Sequence, residues 1–387
     1  MHDFDEIRPY RDAELADVLA RIIGDKEFLD LILERQFSWL PAYFLPLIRP
    51  VLKWHLKRLS HDLETVRDFQ AHLSSRLKAI LDETTTSYGF SGIENLQRDQ
   101  AYVFMSNHRD IALDPALVIL GLVESGRDSL RIAIGDNLLT KPFASDLMRI
   151  NRSFIVKRSL SGRREKFAAL KLLSRYIRHS ISTDAVSIWI AQAEGRAKDG
   201  RDRTETALLK MLALSRCGEQ SFGEAMRTLN IVPVSIAYEY DPCDGDKAAE
   251  LFVGQQGDIY RKTAYEDLAT IKKGFVGFKG RVHVNFGEPL VTEFETADHL
   301  ASAIDRHIVS GYRLFPSHIV AWQWLNPDDD ASALHALWPD EDWIRAHANL
   351  QRRLDQLPEE HRDIVLAGYA APVIDQLAFA QRPQGAI

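Results

Sequence analysis

Sulfur is scarce in this chain. Its 387 residues include two cysteines, Cys217 and Cys243, and no Cys-x-x-Cys pair. A disulfide framework or a cysteine-based zinc site is therefore excluded, and a reducing compartment is favoured. Positive charge is not in excess: 48 Lys and Arg face 55 Asp and Glu, a net charge of −7. That balance lacks the basic footprint of a nucleic-acid partner. No run of about 18 apolar residues exists, so no transmembrane helix is expected. The first residues, Met1-His2-Asp3-Phe4-Asp5-Glu6, are acidic and polar, unlike a signal peptide. The chain has no Gly-x-Ser-x-Gly elbow, no His-Glu-x-x-His and no Gly-rich phosphate loop. Serine hydrolases and zinc peptidases are thereby disfavoured. His108-Arg109-Asp110 shares three letters with the kinase catalytic loop, but the following Asn and an Asp-Phe-Gly are missing.

What is present is an ordinary globular composition, 45% hydrophobic and 27% charged, in a chain long enough for one large core with appended helices. Residues 1–85 read as helical. Leu15, Val18, Leu19, Ile22, Ile23, Leu29, Leu31 and Ile32 recur at helical spacing over 12–35, and a second such pattern runs over 61–82. From 86 to 294 short β-rich runs alternate with helical ones. The expected strands are 102–105, 130–134, 153–156, 186–191, 231–238 and 281–286; the expected helices are 115–123, 142–150, 163–182 and 205–215. This alternation argues for an α/β sheet covered by helices. Residues 295–387 read as helical again. Within the first part, 37–59 is aromatic and proline-broken, with Trp39, Tyr43, Phe44, Leu47 and Trp54 beside Lys53, Lys57 and Arg58. It suits either a membrane interface or a buried interdomain element.

The segment with the most chemistry is Ser106-Asn107-His108-Arg109-Asp110-Ile111-Ala112-Leu113-Asp114-Pro115. It follows the apolar run Ala101–Met105, so His108 falls at a strand end, where open α/β sheets place their sites. A His with a carboxylate partner is a general base, because the carboxylate fixes the tautomer and stabilises the imidazolium. Asp114 is taken as that partner and Asp110 as its rival. Asp114-Pro115 also suits a helix start, with dipole and free N–H groups near the site. Three further segments complete a set: Arg152-Ser153-Phe154-Ile155-Val156-Lys157-Arg158, Ala191-Gln192-Ala193-Glu194-Gly195-Arg196-Ala197-Lys198, and Ile231-Val232-Pro233-Val234-Ser235-Ile236-Ala237-Tyr238-Glu239. Read alone, Lys157, Arg158, Arg196 and Lys198 make a solvated charged rim, and Glu194 salt-bridges one of the arginines. The acidic group Asp241, Asp244 and Asp246 lacks calcium-loop spacing and reads as a turn.

In order, these four segments resemble the sequence blocks of the glycerolipid acyltransferases, the superfamily of glycerol-3-phosphate and 1-acylglycerol-3-phosphate acyltransferases, over residues 100–240. Two spacings depart from the pattern. Asp114 follows Asn107-His108 after five residues instead of four, and Glu194-Gly195-Arg196 is one residue short. Arg152 also stands where the family has Gly. The resemblance implies a mixed sheet covered by helices, flanked by helical N- and C-terminal regions. It implies an O-acyltransferase moving a fatty acyl group from acyl-CoA or acyl carrier protein to glycerol-3-phosphate or its 1-acyl derivative. His108 is then the base and Asp114 its orienter. Arg158 and Arg196 hold the phosphate, with Glu194 and Lys157 in support, Gly195 permitting a tight turn near the ligand, and Asn107, Asp110 and Lys198 as further candidates. No metal or bound cofactor is implied. The partners are a membrane surface, a lipid acceptor and, for one donor, acyl carrier protein; the place is cytoplasmic, peripheral at the inner face of a membrane. The alternatives are another lipid head group as acceptor, such as an amino-acid lipid or a lysophospholipid, or a non-catalytic lipid-binding protein.

Overall fold

A computed structural model describes residues 3–36, 44–139, 141–263 and 266–381. The chain forms an α/β fold with a mixed set of parallel and antiparallel strand pairs and flanking helices. Its strands are β1 (Thr85–Ser91), β2 (Val103–Ser106), β3 (Arg131–Gly135), β4 (Ser153–Val156), β5 (Ile188–Ala191), β6 (Ile231–Tyr238) and β7 (Gly280–Phe286). The six expected strands are all present, shifted by at most two residues at an end. β1 is the addition. Of the threonines Thr84-Thr85-Thr86, where the helical pattern breaks, Thr84 ends the preceding helix and Thr85 and Thr86 begin this strand.

The chain divides into two compact units, each assembled from two stretches. The first holds Met1–Arg76 with Ser129–Tyr176. In it β3 and β4 pair in parallel, Ile132 opposite Ser153 through Gly135 opposite Val156. The expected helix over 12–35 is broken in two, Asp12–Gly24 and Lys26–Gln36, with Asp25 extended between them. Leu15, Val18, Leu19, Ile22 and Ile23 bury one stripe against Phe69 and Ile150. The helix Leu45–His61 lies against Leu29 and Leu33 through Leu45, Ile48, Leu52 and Leu56. Pro46 falls in its first turn, where an N–H has no intrahelical acceptor anyway.

The second unit holds Leu77–Asp128 with Ile177–Ile387. Its five strands lie in the order β1-β7-β6-β2-β5. β1–β7, β6–β2 and β2–β5 are parallel, and β6–β7 is antiparallel. β2 and β6 are buried along their whole length, which is why both read as continuous apolar runs rather than alternating ones. The helix Leu113–Glu124 after β2 is apolar on every side and accordingly buried, with Leu117, Val118 and Leu120 at 0–1% exposure. Asp244 and Asp246 sit in the first turn of the helix Asp244–Gln255, so the reading of that acidic group as a turn is corrected. Carboxylates there face the positive end of the helix dipole, which favours starting a helix over a turn. The helix Glu359–Ala380 is long and apolar enough to cross a bilayer by length and composition, and a third of its apolar window is buried here. Val365, Tyr369, Ala370 and Val373 join it to Ala321, Trp322, Leu350 and Leu354 in one core.

Candidate active site

The site grows from the C-terminal end of β2. Beyond Ser106, the last paired residue, the side chain of Asn107 continues the ladder in place of a backbone. Its Nδ2 donates to the Ile236 carbonyl at 3.0 Å and its Oδ1 accepts from the Ile236 N–H at 2.8 Å. The chain can thus leave the sheet without stranding either group of the neighbouring strand. The next residue is His108.

His108 Nδ1 lies 2.9 Å from Asp114 Oδ2. The same oxygen accepts the N–H groups of Arg109 at 2.6 Å and Asp110 at 2.9 Å. Asp114 Oδ1 accepts the Tyr238 hydroxyl at 2.8 Å. The Asp114 side chain is fully buried, while that of His108 keeps 14% of its surface. Asp114 meets four donors, so His108 Nδ1 carries the hydrogen and Nε2 is left with a lone pair. Five residues between His108 and Asp114 leave this contact intact, because the longer turn folds back and spends two of its backbone N–H groups on the same carboxylate.

Asp110, the rival partner, has another task. Its Oδ1 accepts the N–H groups of Ala112 at 3.0 Å and Leu113 at 2.8 Å, closing the start of the helix Leu113–Glu124. Burial first, then the neighbouring Asp114 charge, pushes the Asp110 carboxyl up to about 6. The helix Glu266–Val276 covers it through Gly274, where a Cβ would stand 2.0 Å from Asp110 Oδ2. Only glycine permits that approach.

Sequence reasoning passed over Tyr238 as a site residue. It ends β6, a strand buried throughout. A phenol at the end of such a strand needs an internal partner, and that was the available signal. Burial, followed by the Asp114 charge, holds its hydroxyl well above the usual tyrosine range, so it stays a donor. Trp189 of β5 meets the His108 ring edge-on at 5.8 Å and is itself fixed by donation to Ser106 Oγ at 3.0 Å.

The third block reaches the first directly. Gly195 turns the chain at φ +81°, and the Ala197 N–H then donates to the His108 carbonyl at 2.8 Å. Arg196 is half-buried, and its Nη1, itself buried, has no hydrogen-bond partner among the described residues. Glu194 is exposed, and Lys198 pairs with Glu250. Lys198 is therefore engaged within the protein. Of the second block, Lys157 at the end of β4 pairs with Glu6 within the first unit. The Arg158 N–H donates to Asp136 Oδ1 at 3.1 Å, and its side chain is exposed.

Arg109, the residue after His108, points into a buried polar cluster. Its Nη2 meets Asp202 Oδ2 at 2.6 Å and the Gly200 carbonyl at 2.9 Å, and its guanidinium lies over the Tyr312 ring at 5.3 Å. Lys247 donates to the Arg109 carbonyl at 2.8 Å and to Asp241. A cavity of about 50 Å³ opens beside this cluster, lined by Arg109, Lys247, Asp241, Tyr312 and Tyr369 among others. Among the described residues no group of three or more His, Cys, Asp or Glu could hold a metal ion. The arrangement can do one thing well: hold an imidazole by Nδ1 against a buried carboxylate and leave Nε2 for a hydroxyl arriving from outside.

Residues 88–238 match the family model described as Acyltransferase. Among solved structures, the 1-acyl-sn-glycerophosphate acyltransferase PlsC of Thermotoga maritima is 15% identical, with 63% of this chain and 75% of that one covered at a TM-score of 0.33. The signal recognition particle receptor FtsY of Elizabethkingia anophelis, solved with GDP, is 14% identical, with 76% of this chain and 91% of that one covered at 0.22. Scores this low carry no argument. No curated protein matches the chain. The family match spans β2 with His108 and Asp114, the Glu194-Gly195-Arg196 turn, and β6 to Tyr238, the segments that build the site just described. Over these residues the chain is similar to the acyltransferase family, in line with the glycerolipid acyltransferase blocks that its four segments resemble.

Proposed function

We propose that the protein transfers a fatty acyl group from acyl-CoA or acyl carrier protein to a hydroxyl of glycerol-3-phosphate or 1-acylglycerol-3-phosphate, with His108 as general base. The observation that carries this reading is the contact of 2.9 Å between His108 Nδ1 and the buried Asp114 carboxylate, an acceptor that assigns the hydrogen to Nδ1. With Nδ1–H committed to Asp114, Nε2 is the free base. In the proposed step Nε2 takes the acceptor's hydroxyl proton as its oxygen attacks the thioester carbonyl. The tetrahedral intermediate then expels the thiolate, which regains the proton from the imidazolium, and ester and thiol leave. Asp114, its negative charge shared among four donors, stabilises the imidazolium between those two events. The acceptor phosphate is assigned to Arg196, which stands between the Gly195 turn and Ala197, whose N–H holds the His108 carbonyl; the planar fork of Arg196 suits phosphate oxygens. Arg158 is assigned the same role on sequence grounds.

The product of such a reaction is a lipid that leaves to a membrane, and the first unit offers a surface that suits one. On the helix Leu45–His61, Leu47, Val51 and Trp54 are 72%, 63% and 61% exposed, opposite the face that packs on Leu29 and Leu33. Lys57 and Arg58 follow on the exposed side, and Arg58 lies over the Trp54 ring at 5.9 Å. An apolar stripe edged by cations is the pattern of an interfacial helix, so peripheral attachment at a cytoplasmic membrane face is part of the proposal. Trp39 and Tyr43, expected to take part, lie outside the described residues. The test is incubation of the protein with radiolabelled acyl-CoA or acyl-acyl carrier protein and a panel of acceptors. Label in 1-acylglycerol-3-phosphate or in phosphatidate is the expected result. Transfer only to a non-phosphorylated acceptor, or none, sinks it.

A further inference from the structure

One buried carboxylate oxygen grips the residues on both sides of His108. Asp202 Oδ2 accepts from Asn107 Nδ2 at 3.1 Å and from Arg109 Nη2 at 2.6 Å. In an extended chain alternate side chains share a face, so Asn107 and Arg109 point one way and His108 the other. The side chains of Arg109 and Asp202 are 9% and 5% exposed, so water does not compete for this contact. The loop that carries Asp202 is anchored in turn: Arg201 pairs with Asp375 at 2.5 Å, and Thr204 donates to Asp305 at 2.6 Å. The remaining freedom of His108 is removed at its carbonyl, held by the Ala197 N–H, and at the Arg109 N–H, held by Asp114.

We infer that Asp202 is a positioning residue for the base: by tying Asn107 to Arg109 behind the chain it fixes the backbone of His108, and thereby the direction in which Nε2 is presented. Asp202 does not touch the ring, so it acts through the two neighbours. A base displaced by less than an ångström loses much of its rate while substrate affinity is unchanged. The catalytic consequence rests on the acyl-transfer reading above; the geometric one does not.

The experiment is Asp202→Asn in the full chain with ¹⁵N-histidine labelling. The amide keeps an acceptor for Asn107 but withdraws the charge from Arg109. The expected result is a fall in kcat of about 10–100-fold, KM for both substrates within about twofold, and His108 ring ¹⁵N signals that move from a single Nδ1–H tautomer toward a mixture. If Asp202→Asn does not fold, Arg109→Met with Asp202→Asn removes both charges together, a replacement buried pairs commonly tolerate, and the same signals are read. A variant with lowered Tm but unchanged kcat per folded molecule and an unchanged His108 tautomer overturns the inference, since Asp202 would then be structural only. If the wild type transfers no acyl group to any acceptor, the functional reading fails, and the ring signals alone still decide whether Asp202 positions His108.

Discussion

Two regions of this protein break the rule of apolar inside and polar outside, in opposite directions. The turn after β2 buries Asn107, Arg109, Asp110 and Asp114, with Asp202 against them. The helix Leu45–His61 leaves Leu47, Val51 and Trp54 in water. The first violation is largely compensated within the chain: each of those polar residues has a hydrogen-bonded partner, several of them backbone N–H groups, and only Arg109 Nε and Asp202 Oδ1 are buried without one. Its cost is met by local geometry, and the reward is a fixed imidazole. Among the described residues the first unit offers the second no compensation. Fully burying a Val or Leu side chain is worth about 1.5–3 kcal/mol, and here that gain is left unused. A compensated exception points inward to chemistry, while an uncompensated one points outward to a partner.

The hardest blow to the inner region is loss of the base. His108→Ala is expected to lower kcat by roughly 10²–10⁴-fold. The fold should survive, because His108 keeps its backbone bonds. Steady-state kinetics with circular dichroism check this, and an active His108→Ala enzyme ends the mechanism. Asp114→Asn should cost nearly as much. An amide in place of that carboxylate must turn its NH₂ toward one of the four donors, and the tautomer is lost.

Next in size is the acceptor. Arg196→Ala is expected to raise KM for a phosphorylated acceptor by about 10–100-fold, from roughly 1.5–3 kcal/mol for a charge-assisted bond, with KM for the acyl donor little changed. Arg158→Ala goes through the same assay. Equal losses for both substrates would make the arginine a structural one.

These residues also show where sequence reading ends. Six strands were legible as short β-rich runs: β2 and β6 because they are buried throughout and so continuously apolar, β7 because buried and half-buried residues alternate along it. β1 was not: Thr-Thr-Ser-Tyr-Gly-Phe-Ser has one strongly apolar residue, as befits a strand paired on one side only. His108 stood out as a His at a strand end, and Asp114 as a carboxylate before Pro. Asp202 gave no signal. It lies in the run Asp199-Gly200-Arg201-Asp202-Arg203, which reads as a solvated loop. Its partners are 93 and 95 residues away in the chain. Burial of a charge is decided by such long-range pairs, and no local pattern encodes them. The exposed stripe was half legible. Aromatics and cations were visible in 37–59, but which of them face outward depends on Leu29 and Leu33 taking the other side.

A smaller effect follows pH. His318 is buried, its Nδ1 accepts the Phe315 N–H at 2.9 Å, and its Nε2 sits 3.1 Å from the Tyr238 carbonyl. Both ring nitrogens are satisfied only in the neutral form, with Nε2–H as donor. Burial first, then the nearby Arg109 charge, lowers its pKa from 6.5 to about 3. A lowered folded-state value means the unfolded chain binds the proton first. Stability from this group is therefore present above pH 6.5 and lost as pH falls toward 3, with a limiting slope of about 1.4 kcal/mol per pH unit. Urea midpoints of the wild type should drop between pH 7 and 5, and drop less in a folded His318→Gln variant. Parallel pH curves for the two proteins would show that the ring does not titrate on unfolding.

The gentlest test falls on the outer region. Val51→Ser with Trp54→Ser changes two side chains that are 63% and 61% exposed, so the fold has little to lose and Tm should stay within a few degrees. Their apolar surface matters only if something covers it. If the cover is a bilayer containing anionic lipid, the double variant should bind vesicles about five- to tenfold more weakly at low salt. The cations Lys57 and Arg58 add about 1 kcal/mol each, a share that vanishes as salt rises, whereas the apolar share persists. Wild type and variant should therefore differ by a similar factor at every salt concentration, while both weaken together. Lys57→Gln with Arg58→Gln should do the reverse, matching the wild type in high salt and falling behind it in low salt. Flotation with phosphatidylglycerol vesicles separates the two shares. Absence of wild-type binding at low salt would remove the membrane from the account and leave the stripe to a protein partner.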